Sequence, residues 1–139
     1  MSLVGWADEN GADGERSNLT TGVATHIGCR IASGRLLPGE LLPTEKDIQT
    51  EYGVSRTVVR EAVRHLAGKG LISVRPKVGM RVRPETDWNM LDSEVMRWHL
   101  LAEVRRPFVE ALYEMRLINE PAAARIAADR IEPSDRRAL

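Results

Sequence analysis

Apolar side chains first fall into rhythm at Val23, Ile27 and Ile31, a spacing of four that predicts a helix from Thr20 or Thr21 to about Ser33. The run "SGRLLPGELLP" that follows is rich in turn-forming glycine and proline, with Leu41 and Leu42 offering a short strand. Thr44 reads as an N-cap with Glu45 and Asp47 in the first turn, where a helix dipole favours carboxylates, and Gly53 closes that short helix. Ser55 is the next cap. After it Val59, Ala62, Val63 and Leu66 fall at i, i+3, i+4 and i+7, an apolar stripe on a helix ending at Gly68 or Gly70. Residues 71–75 and 80–83 then read as two strands of a hairpin, with Lys77 at its tip.

Beyond the hairpin the pattern loosens. Residues 84–91 read as a linker, and Asp92 or Ser93 caps a helix containing Val95, Met96 and Trp98. A longer helical region runs from about residue 107 to 130, with Val109, Leu112, Tyr113 and Arg116 on one face and small residues over 122–128. Pro121 predicts a kink or a fresh start within it. Ser134 caps a further helix on which the sequence stops, so residues 92–139 are read as the incomplete beginning of a second, all-helical domain. Residues 1–17, acidic, glycine-rich and without period, are read as a disordered tail. The expected fold is therefore mainly α, with three helices and a small hairpin over 18–83 followed by the first helices of the second domain.

Composition supports small helical cores: 42% of the residues are hydrophobic but only 4% aromatic. A single cysteine, Cys29, and the lack of an export signal lead to the expectation of a cytoplasmic protein. No apolar run reaches the roughly 20 residues that a membrane helix needs. Charge changes the picture more. The formal net charge is zero, yet residues 55–83 hold eight lysines and arginines against Glu61 alone. Arg56, Arg60 and Arg64 stack at i, i+4 and i+8 opposite the apolar stripe, an arrangement of like charges that calls for an anion.

Two short helices around Gly53, the second opening with Ser, Arg, Thr and Arg, match a helix-turn-helix whose second helix enters the DNA major groove. Arginine can fork onto guanine O6 and N7, while Ser55, Thr57 and backbone N–H groups at a helix start suit phosphates. The hairpin would be the wing, with Lys77 near the minor groove or backbone. The competing reading is a winged-helix module whose basic face meets an acidic protein surface.

The stretch "GELLPTEKDIQTEYGVSRTVVREAVRHLAGKGLISVRPKVGMRV" resembles the winged helix-turn-helix of the GntR family of bacterial transcription regulators. Its marks are Leu-Pro-x-Glu, then Gly-Val-Ser-Arg-x-x-Val-Arg-Glu-Ala, then Gly-Leu-Ile before the wing. "ALYEMRLINEPAAARIAAD" resembles the opening of a FadR-type effector domain, and "DWNMLDSEVMRW" is similar to the linker of galactonate-type, sugar-acid operon repressors. The resemblance implies that Arg56 and Arg60 are the main base and phosphate readers and that Ser55 and Thr57 fix phosphates. Lys46 stands where the family more often has arginine, and Arg64, Lys77 and Gly79 complete the DNA-binding set. At the wing tip Lys77 replaces the first of two family glycines and Gly79 keeps the second.

The same likeness implies a repressor that binds an inverted-repeat operator as a homodimer and is released by a small carboxylate or sugar acid. Weak dimerisation is expected of the shortened helical half. Arg116 is the candidate for meeting the effector carboxylate, with Glu120, one turn on, as its alternative partner. Later helices of a full-length effector domain would hold any divalent metal; none is expected from His26, His65 and His99, whose spacings suit no site, and no cofactor is expected in this chain. Nothing in the sequence resembles a nucleophile elbow, phosphate loop or catalytic carboxylate pair, so an enzyme is not expected.

Overall fold

The computed structural model describes residues 12–102 and 106–131, and the chain divides between Glu103 and Val104 into two compact units. In the first unit α1 (Ala12–Ala32), α2 (Glu45–Tyr52) and α3 (Arg56–Gly68) precede a hairpin of β1 (Ile72–Arg75) and β2 (Gly79–Val82). A 3-10 turn (Glu85–Asp87) leads to α4 (Ser93–Leu101). The second unit is described through α5 (Arg106–Arg130).

Local chemistry sets most of these ends. Thr44 forms a capping box with Asp47: the Asp47 amide donates to Thr44 Oγ1 at 3.2 Å, and the Thr44 amide donates to the Asp47 carboxylate at 3.0 Å. Those hydrogen bonds from Thr44 hold the Asp47 carboxyl below its ordinary pKa. Gly53 takes the left-handed conformation, φ 64°, that turns the chain out of α2 and into Ser55, whose hydroxyl accepts from the Val58 amide. The hairpin is antiparallel, Ile72 opposite Val82 and Arg75 opposite Gly79. The expected short strand at Leu41 and Leu42 reduces to one bridge, Leu41 to Arg81, on the other side of β2.

One core joins everything in the first unit. Val23, Ile27 and Ile31 of α1 meet Val59, Ala62 and Leu66 of α3, all buried as their spacing requires. Ile72, Met80 and Val82 close the core from the hairpin side.

Four features depart from the sequence reading. First, α1 begins at Ala12, so residues 12–17 are helical rather than part of a tail. Extending an established helix adds one hydrogen bond per residue fixed, so a polar segment can join α1 without an apolar stripe of its own. The rest of the supposed tail lies outside the described residues. Second, residues 84–91 are anchored. The Trp88 side chain is 5% exposed and its indole N–H donates to the Arg83 carbonyl at 3.0 Å, while the Asn89 amide donates to the Lys69 carbonyl at 2.9 Å.

Third, α4 belongs to the first unit, not to the helical domain assigned from residue 92. Val95 and Trp98 are each 1% exposed in the shared core, and the Trp98 indole N–H donates to Thr25 Oγ1 at 3.3 Å. Gly28 makes that docking possible, because a β-carbon there would lie 2.5 Å from the Trp98 ring. Fourth, α5 runs without a break through Pro121. A proline removes one i to i−4 hydrogen bond, a loss that neighbouring turns of a 25-residue helix carry. The further helix expected at Ser134 lies outside the described residues.

Charge sets the pH range of α4's docking. Lys69, at the end of α3, meets Asp92 at 2.7 Å and Glu94 at 2.8 Å. Burial works against the Lys69 charge, but the two carboxylates outweigh it and hold its pKa above the usual lysine value. The Lys69 hydrogen bond holds Asp92 below the ordinary carboxylate range; Glu94 is also held low, with Lys69 and His65 overcoming the effect of burial. The carboxylates' contribution is thus complete above the ordinary range, about pH 4, and lost as pH falls through the lowered folded-state values. The Lys69 contribution is complete below the ordinary lysine value and lost as pH rises through the raised one. An acid titration followed by tryptophan emission should show a transition below about pH 4 that is shallower in Asp92→Asn than in the parent chain.

Candidate nucleic-acid interface

The apolar stripe of α3 is spent on the core, and that fixes what the helix shows to solvent. Ser55, Arg56, Thr57, Arg60 and Arg64 are all exposed, so the structure brings five of the sequence-derived residues onto one surface. The first turn of α3 carries no acidic residue, leaving its free N–H groups and dipole end open to an anion. Ser55 uses its oxygen to accept from the Val58 amide and keeps its own hydroxyl proton for another acceptor.

The three stacked arginines are not equivalent. Arg56 has Glu45 at 3.9 Å, across the turn on α2, and Arg64 has Glu61 at 2.7 Å, three residues back on α3. Arg60 has no carboxylate partner among the described residues. Like-charge crowding along the helix is therefore relieved at both ends by carboxylates, and the middle guanidinium carries the uncompensated charge. Sequence spacing alone missed this, although Glu61 at i−3 of Arg64 was a readable signal.

Lys46 is exposed on the first turn of α2. Lys77 and Gly79 are exposed on the hairpin. The tip is a turn in which the Val78 amide donates to the Arg75 carbonyl at 3.2 Å, with Pro76 and Lys77 as its central residues. Lys77 has φ 64°, the left-handed region that favours glycine, and Gly79 has φ 98°. The backbone therefore keeps a glycine-like conformation at the position where lysine stands.

Strand alternation places Ser73, Arg75, Arg81 and Arg83 on the outer face of the hairpin. Arg81 donates to the Gly39 carbonyl and Arg83 pairs with Asp87 at 3.0 Å. These arginines were not in the sequence-derived set.

The remaining candidates lie elsewhere. Arg116 on α5 is exposed and paired at 2.6 Å with Glu120, the alternative partner read from the sequence. Its face carries Val109 and Tyr113, which are themselves exposed among the described residues of the second unit. His26 shares a 2.5 Å hydrogen bond with the Tyr52 hydroxyl, His65 one of 2.6 Å with Glu94, and the His99 ring lies 5.9 Å from Trp88. Among the described residues no three His, Cys, Asp or Glu side chains gather as a metal site. Cys29 is half-buried, and burial pushes its thiol pKa up. No described helix is long and apolar enough to cross a membrane.

The gntR family of bacterial regulatory proteins matches residues 19–82. The HTH-type transcriptional regulator YieP of Escherichia coli (strain K12) is 39% identical over 113 residues, covering 81% of this chain and 49% of that protein. The galactonate operon transcriptional repressor of the same strain is 36% identical over 118 residues, covering 85% of this chain and 52% of that protein. Among solved structures, YtrA from Sulfolobus acidocaldarius, a GntR-family transcription factor, aligns with a TM-score of 0.49 and 28% identity, covering 73% of this chain and 88% of that one. The chain spans about half the length of the curated relatives it matches. Residues 19–82, which form the winged helix-turn-helix, are thus similar to the gntR family of bacterial regulatory proteins.

Proposed function

We propose that the chain is the DNA-reading part of a transcription regulator that recognises double-stranded DNA through α3. The observation that carries this is the exposed N-terminal half of α3, where Arg60 stands without a carboxylate partner among the described residues, beside an acid-free helix start. Arg60 reads a base edge, Arg56, Ser55 and Thr57 hold phosphates, and Lys46 and Arg64 flank them. Lys77 reaches the minor groove or backbone from the wing, with Gly79 shaping the tip. Two copies bind an inverted repeat as a homodimer in the cytoplasm.

The test is fluorescence anisotropy on duplexes from a random-site selection, at roughly 50 and 200 mM salt. A selected palindrome whose preference survives the higher salt is the expected result. Equal binding to all duplexes, erased by salt, would leave only phosphate attraction and favour a protein partner for the basic face.

The finer reading starts from the likeness to the galactonate operon transcriptional repressor: this chain would be part of a repressor of a metabolic operon, relieved by a small carboxylate or sugar acid, with a FadR-type helical domain. Arg116 would exchange Glu120 for the effector carboxylate. Calorimetry of the full-length protein with hexonates, with and without Arg116→Ala, checks this.

The wing yields a separable prediction. Lys77→Ala and Lys77→Gly should each weaken all duplexes alike and flatten the dependence of log affinity on log salt by about 0.9. Their stabilities should be close. Alanine keeps a left-handed penalty of about 1 kcal/mol, while glycine sheds it against an entropy cost of about the same size. Thermal melts should therefore place the glycine variant near the parent chain and not below the alanine variant.

A further inference from the structure

The rear of α3 carries a cluster of charge that the DNA-reading face does not use. Lys69 lies nine residues after Arg60, about 180° round the helix, so it cannot touch what Arg60 touches. Its ammonium group meets both oxygens of Asp92 at 2.7 Å and Glu94 Oε2 at 2.8 Å, which matches its three hydrogens. Glu94 Oε2 also lies 2.6 Å from His65 Nε2, and the Lys69 ammonium sits 6.0 Å from the Trp98 ring centre.

Asp92 has a second task. Of the two oxygens that Lys69 grips, Oδ1 also accepts from the Glu94 amide at 2.9 Å and the Val95 amide at 3.2 Å, so Asp92 is the N-cap of α4. The Lys69 backbone holds the same region, its carbonyl accepting from the Asn89 amide. The start of α4 is therefore built on the end of α3, while the far end of α4 is seated independently on α1 through Trp98 and Gly28.

We infer that Lys69, Asp92, Glu94 and His65 form a latch that couples α4 to the reading helix, so that a restraint placed on one is felt by the other. The inference rests on the proposed function in taking α3 as the element that meets DNA. Coupling of this kind is reciprocal: if α4 restrains α3, then DNA held by α3 must restrain α4, which lies behind it. Lys69 and Glu94 are positioning residues in this scheme.

Amide hydrogen exchange of the whole chain, with and without the selected duplex, tests it. In the parent chain the duplex should slow exchange in α3 and, by roughly fivefold or more, in α4. In Glu94→Gln, where Trp98 still seats α4, α3 should remain protected by DNA while the DNA-dependent slowing in α4 is lost. Lys69→Met should behave alike, and keeps the test open if the first variant folds poorly. A duplex effect on α4 that is absent in the parent chain, or equal in parent and both variants, would overturn the latch. If no duplex protects α3 itself, the proposed function fails first and takes the latch with it.

Discussion

Arg60→Ala should lower affinity for the selected duplex by about 1–3 kcal/mol, roughly 5- to 150-fold, and relax the preference at one base position. The effect should exceed that of Arg56→Ala or Arg64→Ala. Those two guanidiniums have Glu45 and Glu61 within reach, so each must trade an existing partner for DNA, whereas Arg60 gives up only water. Anisotropy titrations of the three variants against selected and scrambled duplexes at fixed salt measure the order. Were Arg60→Ala to keep the full preference for the selected duplex, base reading would have to be reassigned.

Trp98→Ala should destabilise the first unit by about 3–5 kcal/mol, because it empties a buried site and leaves the Thr25 hydroxyl without its donor. For a unit of this size the melting temperature should fall by at least about 12 °C. Gly28 supplies an internal control. In the parent chain Gly28→Ala drives a methyl group into the indole and should cost about 1–3 kcal/mol. In the Trp98→Ala background the same methyl enters the space the ring has left, and the better helix propensity of alanine, about 1 kcal/mol, is free to show. The Gly28 change should therefore reverse sign between backgrounds in thermal melts. Additive effects would mean that the glycine is not there to admit Trp98.

These two predictions mark where the sequence was readable. The caps at Thr44 and Ser55, the left-handed Gly53 and the buried stripe from Val59 to Leu66 depend on chemistry within a few residues, and local spacing exposes it. The hairpin was legible for the same reason, down to Lys77 at the tip. The docking of α4 was not, because Trp98 and Gly28 are seventy residues apart in the chain and the motif of a large ring over a missing side chain leaves no periodic trace. The division of labour among Arg56, Arg60 and Arg64 was half legible: Glu61 is local, but Glu45 reaches Arg56 only after the turn at Gly53 has folded. Arg116 shares a face with Val109 and Tyr113, but spacing does not say what covers a face, and the described part of the second unit leaves both of them exposed and Arg116 on Glu120.

The seat of α4 on α1 also bears on how this reading head can be transplanted. A chimeric regulator joined after the wing, near residue 83, would strip Trp98 from α1, uncover the floor around Gly28 and leave the half-buried Lys69 facing no carboxylate. A junction placed after Ala102 carries the whole ledge along, so a grafted head should arrive with its own backing and express as a soluble fusion where the shorter graft aggregates.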